Sequence, residues 1–399
     1  MASLAHTTRY VVPLTMKFRS YALVLLMSLV PTLILWVPFY FQLPSVWGIP
    51  IPKGGMQLIV GNYDGPLYIV VAKSLYAKEL ILGNFSFNLP YEYYAAHFPL
   101  FPLLIRFFAT ASGYPWGMLI TTVLGSFFAH VMFYKLIKEY VSEEHSLWLT
   151  FVFALFPARW LIVRSVGSPE PLFIGAIIAA LFYFRKKQYL LAGLFGAIAQ
   201  ATKSPGILLF IALSIAVILP RLHRLALTND LKKWIQTFHW NVVFLSLIPL
   251  SLAAVFYGYQ LTFGDFLAYF KSGDNIHLFF PPFQIFNYSQ PWVNTHWLEE
   301  IIFIYLFGAI GIIKLLRDKD WALASFVGVY FFTTLFVSHR DLLRYSLPMV
   351  PFLIVAFRRE LVKKEVLIGG AVILIPIFLY SYAFISNNIM PIGDWGPFL

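Results

Sequence analysis

The fold of this chain is organised around Gly61-Asn62-Tyr63-Asp64-Gly65-Pro66-Leu67-Tyr68, which stands just beyond the first long apolar run. The stretch places one carboxylate, that of Asp64, directly before a glycine-proline turn. Proline suits the first position of a helix, so a helix is expected to begin here. Residues 67–80 mix apolar positions with two lysines and a glutamate, a pattern typical of a helix on a membrane surface. Asp64 could cap this helix or act catalytically, and the local sequence leaves both roles open.

The composition is that of a polytopic membrane protein. Hydrophobic residues make up 60% of the 399 residues and charged residues only 12%, whereas about a quarter of a soluble domain is charged. The chain has no cysteine, which excludes disulfides and thiolate metal sites. Its net charge of +11 is explained by basic residues in short cytoplasmic loops. Nucleic acid is therefore not expected as a partner.

Hydropathy predicts one all-α integral-membrane domain over 1–399 with about 11 transmembrane helices, because about 20 apolar residues cross a bilayer. The first span is predicted at 20–42. A long first outer loop, 43–114, is expected to carry surface helices, and a second outer loop is expected at 260–297. The remaining spans are predicted at 115–137, 145–163, 169–184, 188–202, 204–219, 239–259, 298–316, 320–338, 345–357 and 365–386.

The distribution of charge predicts that the N-terminus is cytoplasmic. With that orientation most of the 29 lysines and arginines fall on the cytoplasmic side, as the positive-inside rule requires. If the apolar segment 98–112 crossed the membrane, every later basic loop would lie outside. We therefore interpret 98–112 as a surface or re-entrant helix. The sequence leaves open whether the host membrane is a prokaryotic cell membrane or the endoplasmic reticulum.

Several ionisable residues lie at the outer ends of the predicted spans, where charges tend to pair, snorkel or serve function. They are Arg106, Arg159, Arg164, Glu170, Lys203, His339, Arg340, Asp341 and Arg344. A rim of arginine and lysine with few carboxylates suits an anionic lipid phosphate. Snorkelling is the alternative for any single arginine.

Two patterns stand out near the predicted first outer loop: Tyr63-Asp64-Gly65 with Tyr68, Ala72 and Tyr76, and Phe98-Pro99-Leu100-Phe101-Pro102-Leu103. Together they resemble the GPI mannosyltransferase 2 family of polytopic GT-C glycosyltransferases. Weaker likenesses are Ser168-Pro169-Glu170, Thr202-Lys203-Ser204-Pro205-Gly206 and Arg344-Tyr345 with Leu347-Pro348. The resemblance as a whole covers about 64–210 and 338–354. The chain departs from the family at Tyr63, where Trp is usual, at Lys203, where Arg is usual, and at the intruding Pro169.

The resemblance implies a GT-C-type enzyme that takes a sugar, commonly mannose, from a polyprenyl- or dolichyl-phosphate monosaccharide on the outer or lumenal face. Asp64 would be the general base that takes the proton of the acceptor hydroxyl, with inversion at the anomeric carbon. Arg344, followed by Lys203 and Arg340, would hold the lipid phosphate. The further candidates for substrate binding are His97, Glu170, Arg164 and Tyr68. A packing role for His97 and an ion pair of Glu170 with Arg164 are the alternatives.

The expected partners are a lipid-linked sugar donor, a lipid-linked, glycan or protein acceptor, and membrane lipids. No phosphate-binding glycine loop is present, so no cofactor is expected, and metal dependence is left open. The 260–297 loop carries charged and imidazole side chains that are expected to cover the substrate. They are Asp265, Asp274, His277 and His296.

Two other classes of protein would share the spans and the charged rim. A lipid-linked sugar flippase or transporter is one, and an outer-face oligosaccharide polymerase or ligase is the other. No clear internal repeat, which transporters often show, is visible, and the helix predicted behind Asp64 favours the transferase. The acceptor, the sugar and the lipid carrier are left open.

Overall fold

The computed structural model describes residues 14–230, 236, 239–273, 277–295 and 298–399. These residues are predominantly helical, and a small hairpin follows the first helix. In the hairpin, β1 (Ser45–Val46) pairs antiparallel with β2 (Ile49–Pro50). The all-α architecture expected from hydropathy is therefore found.

Helices of very different lengths follow one another along the chain. In chain order they are α1 (Leu14–Tyr40), α2 (Met56–Val60), α3 (Gly65–Ser74), α4 (Lys78–Asn84), α5 (Leu100–Ser112), α6 (Tyr114–Ile137), α7 (Glu143–Leu155), α8 (Ala158–Val163), α9 (Glu170–Arg185), α10 (Tyr189–Thr202), α11 (Ile207–Thr228), α12 (Leu247–Phe263), α13 (Pro291–Thr295), α14 (Glu300–Arg317), α15 (Trp321–Thr334), α16 (Leu342–Ser346), α17 (Val350–Ala356), α18 (Arg358–Leu361) and α19 (Lys364–Asn387). Short 3₁₀ turns lie at Tyr91–Ala96, Ser204–Gly206, Trp240–Ser246, Ala268–Lys271, Gln284–Phe286, Leu347–Met349 and Gly396–Phe398.

Five helical stretches within the described residues are long and apolar enough to cross a membrane. They are Phe18–Tyr40, Tyr114–Ile137, Ser204–Thr228, Trp240–Phe263 and Lys364–Asn387. The predicted count of about 11 spans is not confirmed. Several apolar stretches that hydropathy reads as single spans are interrupted in the structure. Residues 145–163, for example, are divided into α7 and α8 at Pro157, because proline cannot continue the hydrogen bonding of a helix.

The largest part of the core is formed by α6, α9, α10 and α15 with the segment around α17. Small residues allow α6 and α9 to approach closely, as at many helix contacts in membranes. A methyl group added to Gly125 would lie 2.9 Å from the backbone nitrogen of Leu172, and one added to Gly175 would lie 2.7 Å from the ring of Phe128. The close approach fixes the start of α9, which carries Glu170.

The predicted surface helix over 67–80 differs from the structure in two ways. It is divided into α3 and α4, because Leu75 adopts a left-handed conformation with φ of 48°. In addition, α3 is buried along most of its length and packs against α5 and α6. The expectation of a surface position for this helix is therefore wrong for α3, which lies inside the protein.

The segment 98–112 forms α5 and reverses direction into α6. The reversal occurs at Gly113, whose φ of +75° is readily available only to glycine. A methyl group on Gly117 would lie 2.8 Å from the backbone nitrogen of Ala109, so the two helices are in close contact. The surface or re-entrant position of α5 in the membrane stays a prediction.

The loop over 260–297, predicted as the second outer loop and called so below, is attached to the end of α15 by backbone hydrogen bonds. Phe279 N donates to Phe336 O at 2.8 Å, and Ser338 N donates to His277 O at 2.9 Å. Leu278 and Val337 form an antiparallel bridge between them. The loop consequently lies beside the segment that leads into Arg344.

Candidate functional site

A cavity of about 370 Å³ opens among α3, α9, α10, α16 and the second outer loop. Most of the site residues predicted from the sequence line it. They are Asp64, Tyr68, His97, Glu170, Lys203 and Arg344. These six side chains come from well-separated parts of the sequence and are brought together by the fold. We call them the polar wall of the cavity.

Asp64 stands at the N-cap position of α3, but within the described residues its carboxylate accepts no capping hydrogen bond. Its backbone oxygen instead accepts from Tyr68 N at 3.0 Å. Gly65 is required next to it, because a side chain there would clash with the carbonyl oxygen of Val60. The Asp64 side chain is 39% exposed and lines the cavity, so the tight turn presents a carboxylate to the cavity.

Glu170 binds two cations with one buried carboxylate. Its Oε1 atom accepts from Lys203 Nζ at 2.7 Å and from Arg344 Nε at 2.8 Å, and Arg344 Nη2 lies 2.8 Å from the same oxygen. The other oxygen accepts from the Ser168 hydroxyl. The Glu170 side chain is 4% exposed. Burying an ion pair costs desolvation energy, which is recovered only when further hydrogen bonds satisfy the charged groups, as they do at Glu170. Glu170 therefore pairs with Lys203 and Arg344 and not with Arg164, the partner that the sequence offered as an alternative.

Arg344 also lies close to Asp64. The distance from Arg344 Nη2 to Asp64 Oδ2 is 3.9 Å, and the guanidinium carbon is 4.1 Å from the centroid of the Tyr63 ring. Cations at this distance are attracted to aromatic faces. Arg344 is therefore placed between two carboxylates and over an aromatic ring. The sequence singled out Tyr63 as part of the Tyr63-Asp64-Gly65 motif, with Trp usual at its position, but gave no signal of this contact.

A second ion pair supports Tyr63 and Arg344 from outside the cavity. Arg159 Nε lies 3.0 Å from Asp341 Oδ1, and Arg159 Nη1 donates to the Tyr63 hydroxyl at 3.2 Å. The backbone oxygen of Asp341 accepts from Arg344 N at 2.9 Å. Arg159 and Asp341 were recognised in the sequence only as outer charges, because no local pattern signals the pairing of residues so far apart.

His97 and Tyr68 form an aromatic corner of the cavity. Their rings meet edge to face with centroids 4.7 Å apart, and the backbone oxygen of His97 accepts from the Tyr76 hydroxyl at 2.6 Å. Burial lowers the pKa of His97, so its imidazole is neutral at neutral pH. Burial also raises the pKa of Tyr68, which keeps its phenol protonated. Both residues can offer neutral hydrogen-bonding groups to a ligand.

Two of the predicted substrate-binding residues lie elsewhere. Arg164 is fully buried and donates to Ala154 O at 2.9 Å, Ser28 O at 2.6 Å and the Thr32 hydroxyl at 3.0 Å. Its guanidinium connects α7 to α1 and is fully engaged away from the cavity lining, which corrects the expectation that Arg164 binds substrate there. Arg340 is exposed and is not among the described residues that line the cavity.

The second outer loop contributes His277 to the lining of the cavity, while the expectation that it covers a substrate stays a prediction. Asp265 instead pairs with Lys271 at 2.6 Å, away from the cavity wall, while Asp274 and His296 lie outside the described residues. Tyr269, whose hydroxyl donates to Ser204 Oγ at 2.8 Å, was missed, because a tyrosine in an apolar run gives no functional signal.

No metal centre is built by the described part of the chain, since no group of three or more histidine, aspartate or glutamate side chains there could hold an ion. Two carboxylates, Asp64 and Glu170, and two cations, Lys203 and Arg344, line the cavity. The cavity can therefore offer both a proton acceptor and positive charge to a ligand.

Comparisons with known proteins give a likeness of fold. No family model matches the sequence and no curated protein matches it. ArnT from Cupriavidus metallidurans, solved bound to undecaprenyl phosphate, is similar with a TM-score of 0.54 and 11% identity, over 90% of this chain and 64% of that chain. The oligosaccharyltransferase of Archaeoglobus fulgidus, tethered with an acceptor peptide, has a TM-score of 0.51 and 13% identity, over 95% of this chain and 56% of that one.

The chain thus spans less than two thirds of the length of either structure. Both are GT-C glycosyltransferases, and at these identities the likeness concerns the fold alone. The expected resemblance to the GPI mannosyltransferase 2 family is not confirmed at that level of detail. The chain therefore shares the fold of these two structures, and its long apolar helices indicate an integral membrane protein.

Proposed function

We propose that this chain is a glycosyltransferase. It transfers a sugar, with mannose as the first candidate, from a polyprenyl- or dolichyl-phosphate monosaccharide to an acceptor hydroxyl on the outer or lumenal face. The observation that carries this proposal is that Asp64 and Arg344 line one cavity. The base acts on the acceptor hydroxyl at the bond that forms, and the cation acts on the phosphate at the bond that breaks on the opposite face of the anomeric carbon, so one cavity must present both groups.

The lining of the cavity supports a lipid phosphate as donor. Next to the polar wall it has a large apolar wall, which includes Phe173, Leu208, Leu252, Phe256, Leu278 and Val337. An apolar pocket with a few convergent polar groups is the usual form of a ligand site. A prenyl chain would occupy the apolar part while its phosphate reaches Arg344 and Lys203.

The chemistry that we propose is a single displacement. The oxygen of the acceptor hydroxyl attacks the anomeric carbon, while its proton passes to the Asp64 carboxylate. The bond from the anomeric carbon to the phosphate oxygen breaks, and the lipid phosphate leaves with the electron pair. Configuration at the anomeric carbon inverts. Arg344 and Lys203 stabilise the negative charge that develops on the phosphate.

Glu170 is assigned a supporting role in this reaction. Its buried carboxylate holds both cations on one oxygen atom, so they are in place before the donor arrives. Cations fixed in advance stabilise a transition state without reorganising. His97 and Tyr68, as neutral donors on the same wall, are proposed to contact the sugar.

The decisive experiment is a transfer assay with the purified protein. Radiolabelled polyprenyl-phosphate mannose is incubated with a panel of lipid, glycan and peptide acceptors, and an Asp64→Asn variant serves as the matched control. We expect labelled product with the wild type and almost none with the variant. A folded protein that leaves every labelled donor intact, but moves it across the bilayer of a proteoliposome, would refute the transferase and favour the flippase. Transfer only from oligosaccharide donors would favour the polymerase or ligase.

A further inference from the structure

The second outer loop exposes a row of large apolar side chains. We call residues 278–288, Leu-Phe-Phe-Pro-Pro-Phe-Gln-Ile-Phe-Asn-Tyr, the aromatic segment. It contains no lysine, arginine, aspartate or glutamate. Phe280 is 86% exposed and Tyr288 is 76% exposed. Leu278, Phe279, Phe283 and Phe286 are exposed as well.

The aromatic segment is held in place by the protein. Phe283 N donates to Leu335 O at 2.7 Å, and Trp292 Nε1 donates to Ile285 O at 2.8 Å. The side chain of Ile285 is buried beneath the segment. The backbone therefore holds the rings in exposed positions. Contiguous apolar surface of this kind is normally covered, because its contact with water is unfavourable.

Helices beside the aromatic segment also expose apolar side chains. The Phe283 ring contacts the Tyr305 ring of α14 at 5.8 Å between centroids, and Phe332 of α15 is 62% exposed. Tyr257 and Leu261, in the last turns of α12, which leads into this loop, are 61% and 69% exposed, and α12 belongs to a stretch long and apolar enough to cross a membrane. The segment thus adjoins the apolar surface of α14 and α15, in a loop that begins at the end of a candidate membrane helix.

We infer that the aromatic segment inserts into the boundary of the outer leaflet of the lipid bilayer. Phenylalanine rings supply apolar area, and the polar atoms of Gln284, Asn287 and Tyr288 can remain at the level of the headgroups. Amphipathic aromatic side chains concentrate at this depth of a membrane. The absence of charge and the apolar surface of the adjoining helices favour lipid over a protein partner as the occupant of this surface.

Insertion of the aromatic segment has a consequence for the cavity. His277 and Leu278 line the cavity, and Phe279 and Phe280 follow them directly on the exposed side. The wall of the cavity then lies at the membrane boundary. A lipid-linked donor could then reach Lys203 and Arg344 without leaving its leaflet. This consequence rests on the proposed function, but the insertion of the aromatic segment does not depend on that function.

The chain has no cysteine, so single-cysteine probes test the insertion directly. Phe280→Cys and Tyr288→Cys are labelled with a nitroxide and reconstituted into phosphatidylcholine–phosphatidylglycerol vesicles. Leu250→Cys, at a 59% exposed position of α12, gives the lipid reference, and Asn84→Cys, at an exposed position of α4, gives the aqueous reference. The measurement compares spin relaxation by dissolved oxygen, which concentrates in lipid, with relaxation by a water-soluble nickel complex.

We expect oxygen to relax the labels at 280 and 288 more strongly than nickel does, with values between the two references. Preferential relaxation by nickel at both positions would place the segment in water and overturn the inference. Immobile labels shielded from both reagents would indicate a protein partner or a second copy of the chain, and would also overturn it. The measurement needs no turnover, so a failure of the transfer assay and a failure of the insertion are distinguishable.

Discussion

The guanidinium of Arg344 lies over the ring of Tyr63, with its central carbon 4.1 Å from the ring centroid. Tyr63 immediately precedes Asp64 and has a left-handed backbone with φ of 49°. The contact therefore joins Arg344, the residue proposed to bind the phosphate, to the residue that precedes the proposed base. The relative position of the two groups is set by this stacking together with the ion pair of Arg344 with Glu170.

Substitution of Asp64 by Asn tests the proposed base. The amide keeps the size of the carboxylate but cannot accept the proton, and base catalysis contributes about 10²–10⁴-fold in rate. We expect turnover to fall by that factor while donor binding and thermal stability persist, because the carboxylate makes no capping hydrogen bond within the described residues. Asp64→Glu is also expected to be poor, since an oxygen misplaced by about 1 Å costs about 10²-fold. A stable Asp64→Asn protein with wild-type turnover would exclude this role.

Substitution of Arg344 tests the phosphate site. We expect Arg344→Ala to raise the KM for the donor strongly and Arg344→Lys to restore it only in part, because lysine lacks the planar fork of the guanidinium. Since Lys203 and Arg344 share Glu170 Oε1, their effects are expected to be non-additive by about 0.5–3 kcal/mol. A double-mutant cycle on donor affinity measures this coupling. Strict additivity, or an unchanged KM in Arg344→Ala, would remove the assignment.

Substitution of Glu170 by Gln is expected to destabilise the protein. It removes the charge of a 4% exposed carboxylate that holds two cations, and loss of one partner from a buried pair costs about 3–5 kcal/mol. The measurement is the thermal unfolding midpoint in detergent. Glu365→Gln, at an exposed position of α19, is the matched control and is expected to unfold like the wild type. Equal midpoints for both variants would contradict the role of Glu170 as an anchor.

Two substitutions of Tyr63 separate its hydroxyl from its ring. Tyr63→Phe removes only the group that accepts from Arg159 at 3.2 Å, whereas Tyr63→Leu also removes the face under Arg344. A desolvated cation–π contact contributes about 1–2 kcal/mol, which corresponds to about 5–30-fold in affinity. We therefore expect donor affinity to fall by that factor in Tyr63→Leu and to be largely kept in Tyr63→Phe. Isothermal titration with a polyprenyl phosphate checks the order of the two variants.

The stability of the protein is expected to fall in mild acid because of His97. Burial lowers the pKa of His97 in the folded protein, while a histidine in the unfolded chain titrates near pH 6.5. Below that pH the unfolded chain takes up a proton that the folded protein refuses, so acid favours unfolding. Above about pH 6.5 the contribution disappears.

Unfolding midpoints between pH 8 and pH 5 measure this dependence, with His97→Gln compared with the wild type. His145→Gln, at an exposed position of α7, is the control. We expect the loss of stability in acid to be smaller in His97→Gln and unchanged in His145→Gln. Parallel pH profiles for all three proteins would show that His97 does not contribute.

The sequence by itself determined the class of fold and the turn at Asp64. Apolar runs specify membrane helices through composition alone, and Asp64-Gly65-Pro66 specifies a helix start through local backbone preferences. Both depend on residues that are neighbours in the chain. The same local reasoning does not show where proline and short 3₁₀ turns divide an apolar run, so the predicted count of about 11 spans is not confirmed.

Only the tertiary structure decided which charges meet. Glu170 takes Lys203 and Arg344 as partners, whereas Arg164, nearer in sequence, faces backbone carbonyls of α1 and α7. The burial of α3, the support of Tyr63 by Arg159 and the exposure of the aromatic segment likewise depend on contacts between distant elements. Such contacts are set by the packing of whole helices, which no local pattern of residues specifies.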